Sequence, residues 1–288
     1  MRLDAHQHFW SYDSGQYPWI PAGSALARDW LPADLASLQA PLGLDGSIAV
    51  QARQSVGETD WLLSLADRDP RIKGVVGWVD LRSPNLEDDL RRLSAHPRLV
   101  GVRHVVQDEP DPAFMDGHDF RRGIGRLAGH GLTYDLLIFP RQLESAIRLA
   151  EAFPAQPFVL DHLAKPAVRD GALEPWRTLL RRLAACPNVH CKLSGLLTEA
   201  DHRRWSKSQF LPYLDAALET FGPSRLMFGS DWPVCLLAGS YEQAFNLVSD
   251  HIRGLPEAER DGILGGNCAR FYLSRPPASP HGRHPVAR

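Results

Sequence analysis

The feature that most constrains this chain is a repeated alternation. Short apolar runs bounded by Gly, Pro or Asp are each followed by a longer stretch with apolar residues three and four apart. Eight runs read as strands, at 3–9, 46–52, 73–80, 99–106, 132–138, 158–163, 189–194 and 226–230. The stretches at 58–69, 85–95, 119–130, 142–153, 174–185, 209–221 and 241–253 carry helical spacing. Strand and helix in alternation imply parallel strands joined by crossover helices, because a tight turn cannot join parallel neighbours. Eight such strands in 288 residues favour a closed (β/α)8 TIM barrel, somewhat distorted, over an open doubly wound sheet. An open sheet would show a Gly-rich turn leading from the first strand straight into a helix. Here the first strand runs into 10–45, a long loop rich in Trp, Tyr and Pro. Gly123-x-Gly125 with Gly129 has the letters of a nucleotide fingerprint, but it lies in a helix before a strand, the reverse order. The expectation is one barrel over 1–274 and a disordered tail over 275–288, which is Pro-, Arg- and His-rich and lacks apolar periodicity.

Composition narrows the function classes. Lys and Arg total 32 against 34 Asp and Glu, so the net charge of -2 offers no general attraction to nucleic acid or anionic lipid. The paired arginines at 91–92, 121–122, 181–182 and 203–204 read as solvated helix faces. No apolar run reaches the roughly 18 residues of a membrane span, and the first ten residues are too polar for a secretory signal. The four cysteines are scattered, which disfavours a disulfide scaffold and suits a reducing cytoplasm. No G-x-S-x-G elbow offers serine chemistry.

In a TIM barrel the chemistry gathers at the C-terminal ends of the strands. The first strand reads Asp4-Ala5-His6-Gln7-His8. Regular alternation puts His6 and His8 on one face and Leu3 and Ala5 on the other. The histidines would then face the mouth, and Leu3 and Ala5 the outer helices. Two imidazoles so spaced can share a metal ion; hydrogen-bonded structural histidines are the alternative. The last strand ends in Gly229-Ser230-Asp231-Trp232-Pro233. The eighth strand neighbours the first in a closed barrel, so Asp231 can reach the ion or water that His6 and His8 would hold; a turn role is the alternative. In the sixth strand Asp161 and His162 have opposite parity, and His162 suits a ligand, a base, a substrate contact or a structural role. In the seventh, His190, Lys192 and Ser194 form the polar face, and an inward Lys192 needs a carboxylate or a ligand. Arg103 and His104 have opposite parity, so one of them faces inward, while Gln51 and Trp78 end the second and third strands. The aromatics Trp10, Tyr12, Tyr17, Trp19 and Trp30 form either a lid for a ring-shaped substrate or an apolar cover.

Five motifs then appear in order: Asp4 to Trp10, Asp161-His162-x-x-Lys165-Pro166, Lys192 to Gly195, Gly229 to Pro233 and Gly266 to Tyr272. Together they resemble the amidohydrolase-related family 2, in its sugar-lactone-hydrolase branch. The resemblance implies a distorted barrel that opens an aldonolactone, of the L-fucono or L-rhamnono type, to the free acid. It implies His6, His8 and Asp231 as ligands of a divalent metal, zinc in the first instance and dispensable in some relatives. It also implies Asp231 as the base that activates water and His162 beside metal or substrate. One departure is that strand five offers Tyr134 and Asp135 where metal-dependent relatives carry a further ligand on strand four or five. On this reading Trp10, Gln51, Arg103, His104 and Lys192 contact the substrate or stabilise its developing charge. The sugar lactone is the expected partner, with no nucleic acid and no membrane, and the sequence leaves the oligomeric state open. The alternatives are a planar carboxylated lactone or a decarboxylation on the same barrel, which would need clustered arginines, and a binding barrel without turnover.

Overall fold

The computed structural model describes residues 1–274, and the expected tail lies outside the described residues. Eight parallel strands follow one another in chain order: β1 Leu3–Gln7, β2 Gly46–Val50, β3 Ile72–Gly77, β4 Leu99–His104, β5 Thr133–Leu136, β6 Phe158–Leu160, β7 Val189–Leu193 and β8 Leu226–Phe228. The sheet closes where Asp231 N donates to His6 O (2.8 Å) and His8 N donates to Trp232 O (2.7 Å). Helices α1 Pro32–Gln39, α2 Val56–Arg68, α3 Leu86–Ser94, α4 His118–Leu127, α5 Leu143–Ala152, α6 Trp176–Ala184, α7 Leu211–Phe221 and α8 Tyr241–His251 surround the barrel, followed by the short α9 Glu257–Asp261. The strands end one to three residues earlier than their apolar runs, because the last residues of each run leave the ladder to line the mouth. Among the described residues no helix is long and apolar enough to cross a membrane.

Two apolar clusters separate the layers. The larger joins the outer faces of the strands to the helices. The smaller contains Leu3, Ala5, Ile48, Val50, Val76, Val100, Val159 and Met227 from six strands and is stoppered by Cys268 and Tyr272 of the C-terminal segment. This is the filled interior of a TIM barrel, with the stopper at its N-terminal end. Gly265 makes the stopper possible, because a Cβ there would lie 2.4 Å from Leu3 N and 2.5 Å from Met1 O.

The first strand corrects the alternation argument. Leu3 and Ala5 point into the barrel, not towards the helices. The β1–β2 register slips between Asp4 and Gln7. A bulge of this kind places two successive residues on one face, so Ala5 and His6 both point inward. Asp4 turns the other way and accepts from Ser230 N (2.9 Å), Ser230 Oγ (2.6 Å) and Tyr241 OH of α8 (3.0 Å). It thereby fastens the turn that carries Asp231, although burial pushes its carboxyl up to about 6. The seventh strand keeps the expected parity: Val189, Cys191 and Leu193 face outward, and Lys192 and Ser194 face the interior.

The long first loop is a packed cover. Trp10 bridges Trp30, and its indole N–H donates to the Arg28 and Leu26 carbonyls at 2.9 and 3.3 Å. Trp30 lies edge-on to Trp232, at 5.1 Å between ring centroids.

Candidate active site

His8 sets the geometry of the mouth. Its Nδ1 is 2.8 Å from the Val50 carbonyl. A carbonyl only accepts, so Nδ1 carries the proton and Nε2 presents a lone pair. That lone pair faces His6 Nε2 at 3.2 Å and Asp231 Oδ1 at 3.3 Å. His6 Nε2 is 3.7 Å from the same oxygen, and His162 Nε2 is 3.8 Å from it. Three imidazoles thus surround one carboxylate oxygen, and all four side chains are buried. Burial alone would raise the Asp231 carboxyl, but the imidazoles of His162, His8 and His6 around it outweigh that and hold it below the ordinary carboxylate range. Burial lowers His6 well below the usual imidazole value and brings His162 down to about 4. At neutral pH the site therefore combines an anionic carboxylate with the neutral imidazoles of His6 and His162.

Two backbone irregularities aim these groups. Asp231 sits at φ 57°. His162, Leu163, Ala164 and Lys165 follow one another at φ 53°, 54°, 60° and 51°, a left-handed turn without glycine. Each such residue costs about 1–2 kcal/mol, and strain of this kind collects at functional sites. Strand β6 ends at Leu160, so the opposite parity expected of Asp161 and His162 no longer applies, and both reach the interior. His162 Nδ1 lies 2.8 Å from Ser194 Oγ. A Cβ on Gly195 would come within 2.4 Å of His162 Nδ1, so the glycine leaves room for the ring.

Beneath the imidazoles lies a charged floor. Lys192 Nζ is 2.5 Å from Asp135 Oδ2, 2.9 Å from Asp161 Oδ1 and 3.1 Å from His6 Nδ1, with no solvent exposure. Arg103 donates to Asp161 Oδ2 at 3.0 Å and to the Gln51 carbonyl at 2.5 Å, and its Nη1 lies 3.3 Å from His6 Nε2. Tyr272 donates to Asp135 Oδ2 at 2.8 Å, tying the C-terminal stopper to the floor. Two cations and two carboxylates balance. Burial pushes Asp135 up to about 6 despite Lys192, while Lys192 and Arg103 help keep Asp161 ionised.

The residues anticipated from the sequence therefore divide. His6, His8, His162 and Asp231 converge, with Arg103, Gln51 and Lys192 directly below them. Gln51 Nε2 is engaged by the Arg103 carbonyl at 3.2 Å. Trp10 has no exposed surface, which corrects the expectation that it lines the mouth; its polar edge is spent inside the loop. His104 has the outward parity, bonded to Glu109 and stacked on Phe114, among the rings outside the barrel. The inward reach of Asp161 escaped the sequence argument because a left-handed turn of four non-glycine residues carries no local signature.

Among the described residues two groups can hold a cation, His6/His8/Asp231 and His6/Asp161/His162, with ligand atoms within 4.8 Å of one another in each. The first fits a divalent metal. His8 has its lone pair fixed by Val50, His6 Nε2 lies 3.2 Å from His8 Nε2, and Asp231 supplies an anionic oxygen. Two nitrogens and a carboxylate with open positions match a catalytic zinc set.

The amidohydrolase family model matches residues 3–273. A curated L-fucono-1,5-lactonase from Burkholderia multivorans is 48% identical over 290 residues, spanning 96% of this chain and 98% of the relative. A second L-fucono-1,5-lactonase, from Burkholderia ambifaria, is 38% identical and spans 97% of this chain and 98% of its own length. A crystal structure of a Burkholderia multivorans amidohydrolase with bound zinc superposes with a TM-score of 0.89 at 49% identity, covering 94% of this chain and 99% of that one.

Proposed function

The chain belongs to the amidohydrolase family, and from that premise we propose that it is a lactonase opening an aldonolactone of the L-fucono-1,5 type to the sugar acid. The observation that carries the reading is Asp231: a buried carboxylate, kept ionised by three imidazoles at the barrel mouth. A binding module has no need of such a group, whereas hydrolysis needs a base beside the attacking water. The chain is similar over nearly its whole length to relatives named for this reaction.

Asp231 accepts a proton from water as the water oxygen bonds to the lactone carbonyl carbon. The carbonyl π pair moves onto its oxygen. The guanidinium of Arg103, fixed by Asp161 and Gln51, provides positive potential under the developing oxyanion. When the tetrahedral species collapses, the bond to the ring oxygen breaks and the alkoxide takes the proton back from Asp231. His162, neutral and oriented by Ser194, offers a hydrogen bond to the leaving oxygen. Lys192 is sealed from solvent and acts through Asp161 and His6 rather than on the substrate.

A divalent metal accords with the donor set and with the family, and zinc is the ion we propose. Held by His6, His8 and Asp231, it would polarise the carbonyl and acidify bound water. A planar carboxylated substrate would call for free guanidinium groups, whereas Arg103 is spent on Asp161 and Gln51. A cytoplasmic setting accords with four free, buried cysteines.

The test is a pH-indicator screen of aldonolactones with and without chelator and zinc, run beside Asp231→Asn. Turnover of L-fucono-1,5-lactone and a loss of about 10²–10⁴-fold in the variant are expected. Wild-type protein inert towards every sugar lactone, or a fully active variant, would overturn the reading.

A further inference from the structure

Trp78 stands at the end of β3 and is partly exposed. Val76 belongs to the interior cluster and Gly77 backs onto Thr59 of α2, so Trp78, the first residue past the strand, leaves β3 on the side away from that helix. Its neighbours across the sheet are the ends of β2 and β4, which carry Gln51 and Arg103.

The strand end is fixed on both sides. Trp78 N donates to Thr59 Oγ1 of α2 at 2.8 Å, and that hydroxyl donates to Trp78 O at 3.0 Å. A Cβ on Gly77 would lie 2.4 Å from the Thr59 methyl, so the glycine permits this approach. The indole edge is fixed as well. Trp78 Nε1 donates to His104 Nδ1 at 3.4 Å. His104 must then carry its proton on Nε2, which donates to Glu109 Oε1 at 2.7 Å. The His104 ring lies nearly parallel to Phe114, at 14° and 5.0 Å between centroids. A tryptophan that merely covers core needs no such chain of anchors. Here a buried histidine and a carboxylate are committed to setting the plane of one partly exposed ring.

We propose that Trp78 is a substrate platform. Its indole face packs against the C–H edge and methyl group of a deoxy-sugar lactone, and His104 and Glu109 are positioning residues that hold the plane. This rests on the lactonase reading above and adds to it a determinant of preference for the methyl-bearing sugar. Aromatic faces suit this use because a rigid ring contacts apolar C–H surface at little entropic cost. It also gives His104 a role that its outward parity does not suggest.

The experiment compares L-fucono-1,5-lactone with the corresponding pentonolactone, which lacks the methyl group, in the wild type and in Trp78→Leu, Trp78→Phe, His104→Leu and His104→Gln. Trp78→Leu should raise KM about tenfold, leave kcat within about threefold, and erase a methyl preference of about tenfold in kcat/KM. Trp78→Phe should recover most of the loss. His104→Leu should raise KM, and His104→Gln, which can accept from the indole and donate to Glu109, should restore it. A second readout is the quenching of tryptophan fluorescence by the sugar-acid product, which should largely vanish in Trp78→Phe. It covers the case in which the leucine variant fails to fold. A wild type inert to all sugar lactones removes the reading underneath. An active wild type, with KM, methyl preference and quenching unmoved by the Trp78 variants, overturns the platform alone.

Discussion

Replacing Lys192 by methionine tests the charged floor directly. The side chains are similar in length, so the change removes the ammonium and little volume. What remains is Asp135 and Asp161, previously 2.5 and 2.9 Å from Nζ, fully buried and balanced only by Arg103. Removing one partner of a buried ion pair costs about 3–5 kcal/mol, mostly from the charge left behind. At about 2 °C per kcal/mol for a chain near this size, the melting temperature should fall about 6–10 °C. The pH dependence separates this cause from a packing defect. In the wild type Asp135 is pushed up to about 6 by burial, with Lys192 opposing. Without Lys192 it rises further. A carboxyl raised on folding binds its proton more tightly in the native state, so its contribution is complete below the unfolded value and is lost as pH rises through the folded value. In the variant that loss moves above pH 6, so the deficit relative to wild type should grow between pH 6 and 8, by at most about 1.4 kcal/mol per unit. Differential scanning fluorimetry and urea titration at pH 6, 7 and 8 measure it. An unchanged melting temperature, or a deficit that is flat with pH, would refute the reasoning.

Three further outcomes follow from the site. Asp231 lies below the ordinary carboxylate range and His162 at about 4, so neither should produce an acid limb in kcat/KM between pH 8 and 5; lactone opening followed by NMR would expose a limb near 6.5 if the assignments are wrong. Gly195→Ala places a methyl 2.4 Å from His162 Nδ1 at a backbone φ of 63°. It should cost about 1–3 kcal/mol of stability, measured in urea, and lower kcat more than it raises KM. His8→Ala removes a site imidazole whose lone pair is fixed by a backbone carbonyl. Zinc affinity by equilibrium dialysis should fall by more than the about 10–100-fold typical of losing an orienting partner, and retained affinity would contradict the ligand set.

The barrel was legible because its signal is distributed. Each strand is an apolar run between turn residues, and no single misplaced boundary changes the count or the order. The pairing of the first strand with the last follows from closure, and it brings His6, His8 and Asp231 to one place. Side-chain direction was less legible, because it depends on counting from a regular ladder. In β1 the slip between Asp4 and Gln7 turned Leu3 and Ala5 inward while leaving His6 and His8 where alternation had put them, so a correct conclusion rested on an incomplete premise. Trp10 failed for another reason. Composition places an aromatic in a loop, but whether its ring faces a ligand or the loop's own core depends on the Trp10–Trp30 bridge, a pairing twenty residues apart with no local mark.

These departures from regularity are themselves the construction of the site. In an ideal barrel each layer takes one inward side chain from every second strand, and successive inward side chains of one strand are two residues of rise apart, too far for groups from neighbouring strands to meet at one point. Here a bulge brings His6 in beside Ala5, a left-handed turn swings both Asp161 and His162 inward from one strand end, and a left-handed residue turns Asp231 back over β1. Glycines 195 and 229 sit where a Cβ would strike His162 and His6. The strained turn contains no glycine to relieve it, so its cost of several kcal/mol must be carried by the packing and the charged floor around it. Loosening that floor, as in Lys192→Met, should therefore let the turn at 162–165 relax before the barrel unfolds. Hydrogen exchange should then show lost protection at Lys165 N, which donates to the His162 carbonyl at 2.7 Å, ahead of the amides of β2 and β3. Simultaneous loss across turn and strands would mean that the strain is borne by the fold as a whole.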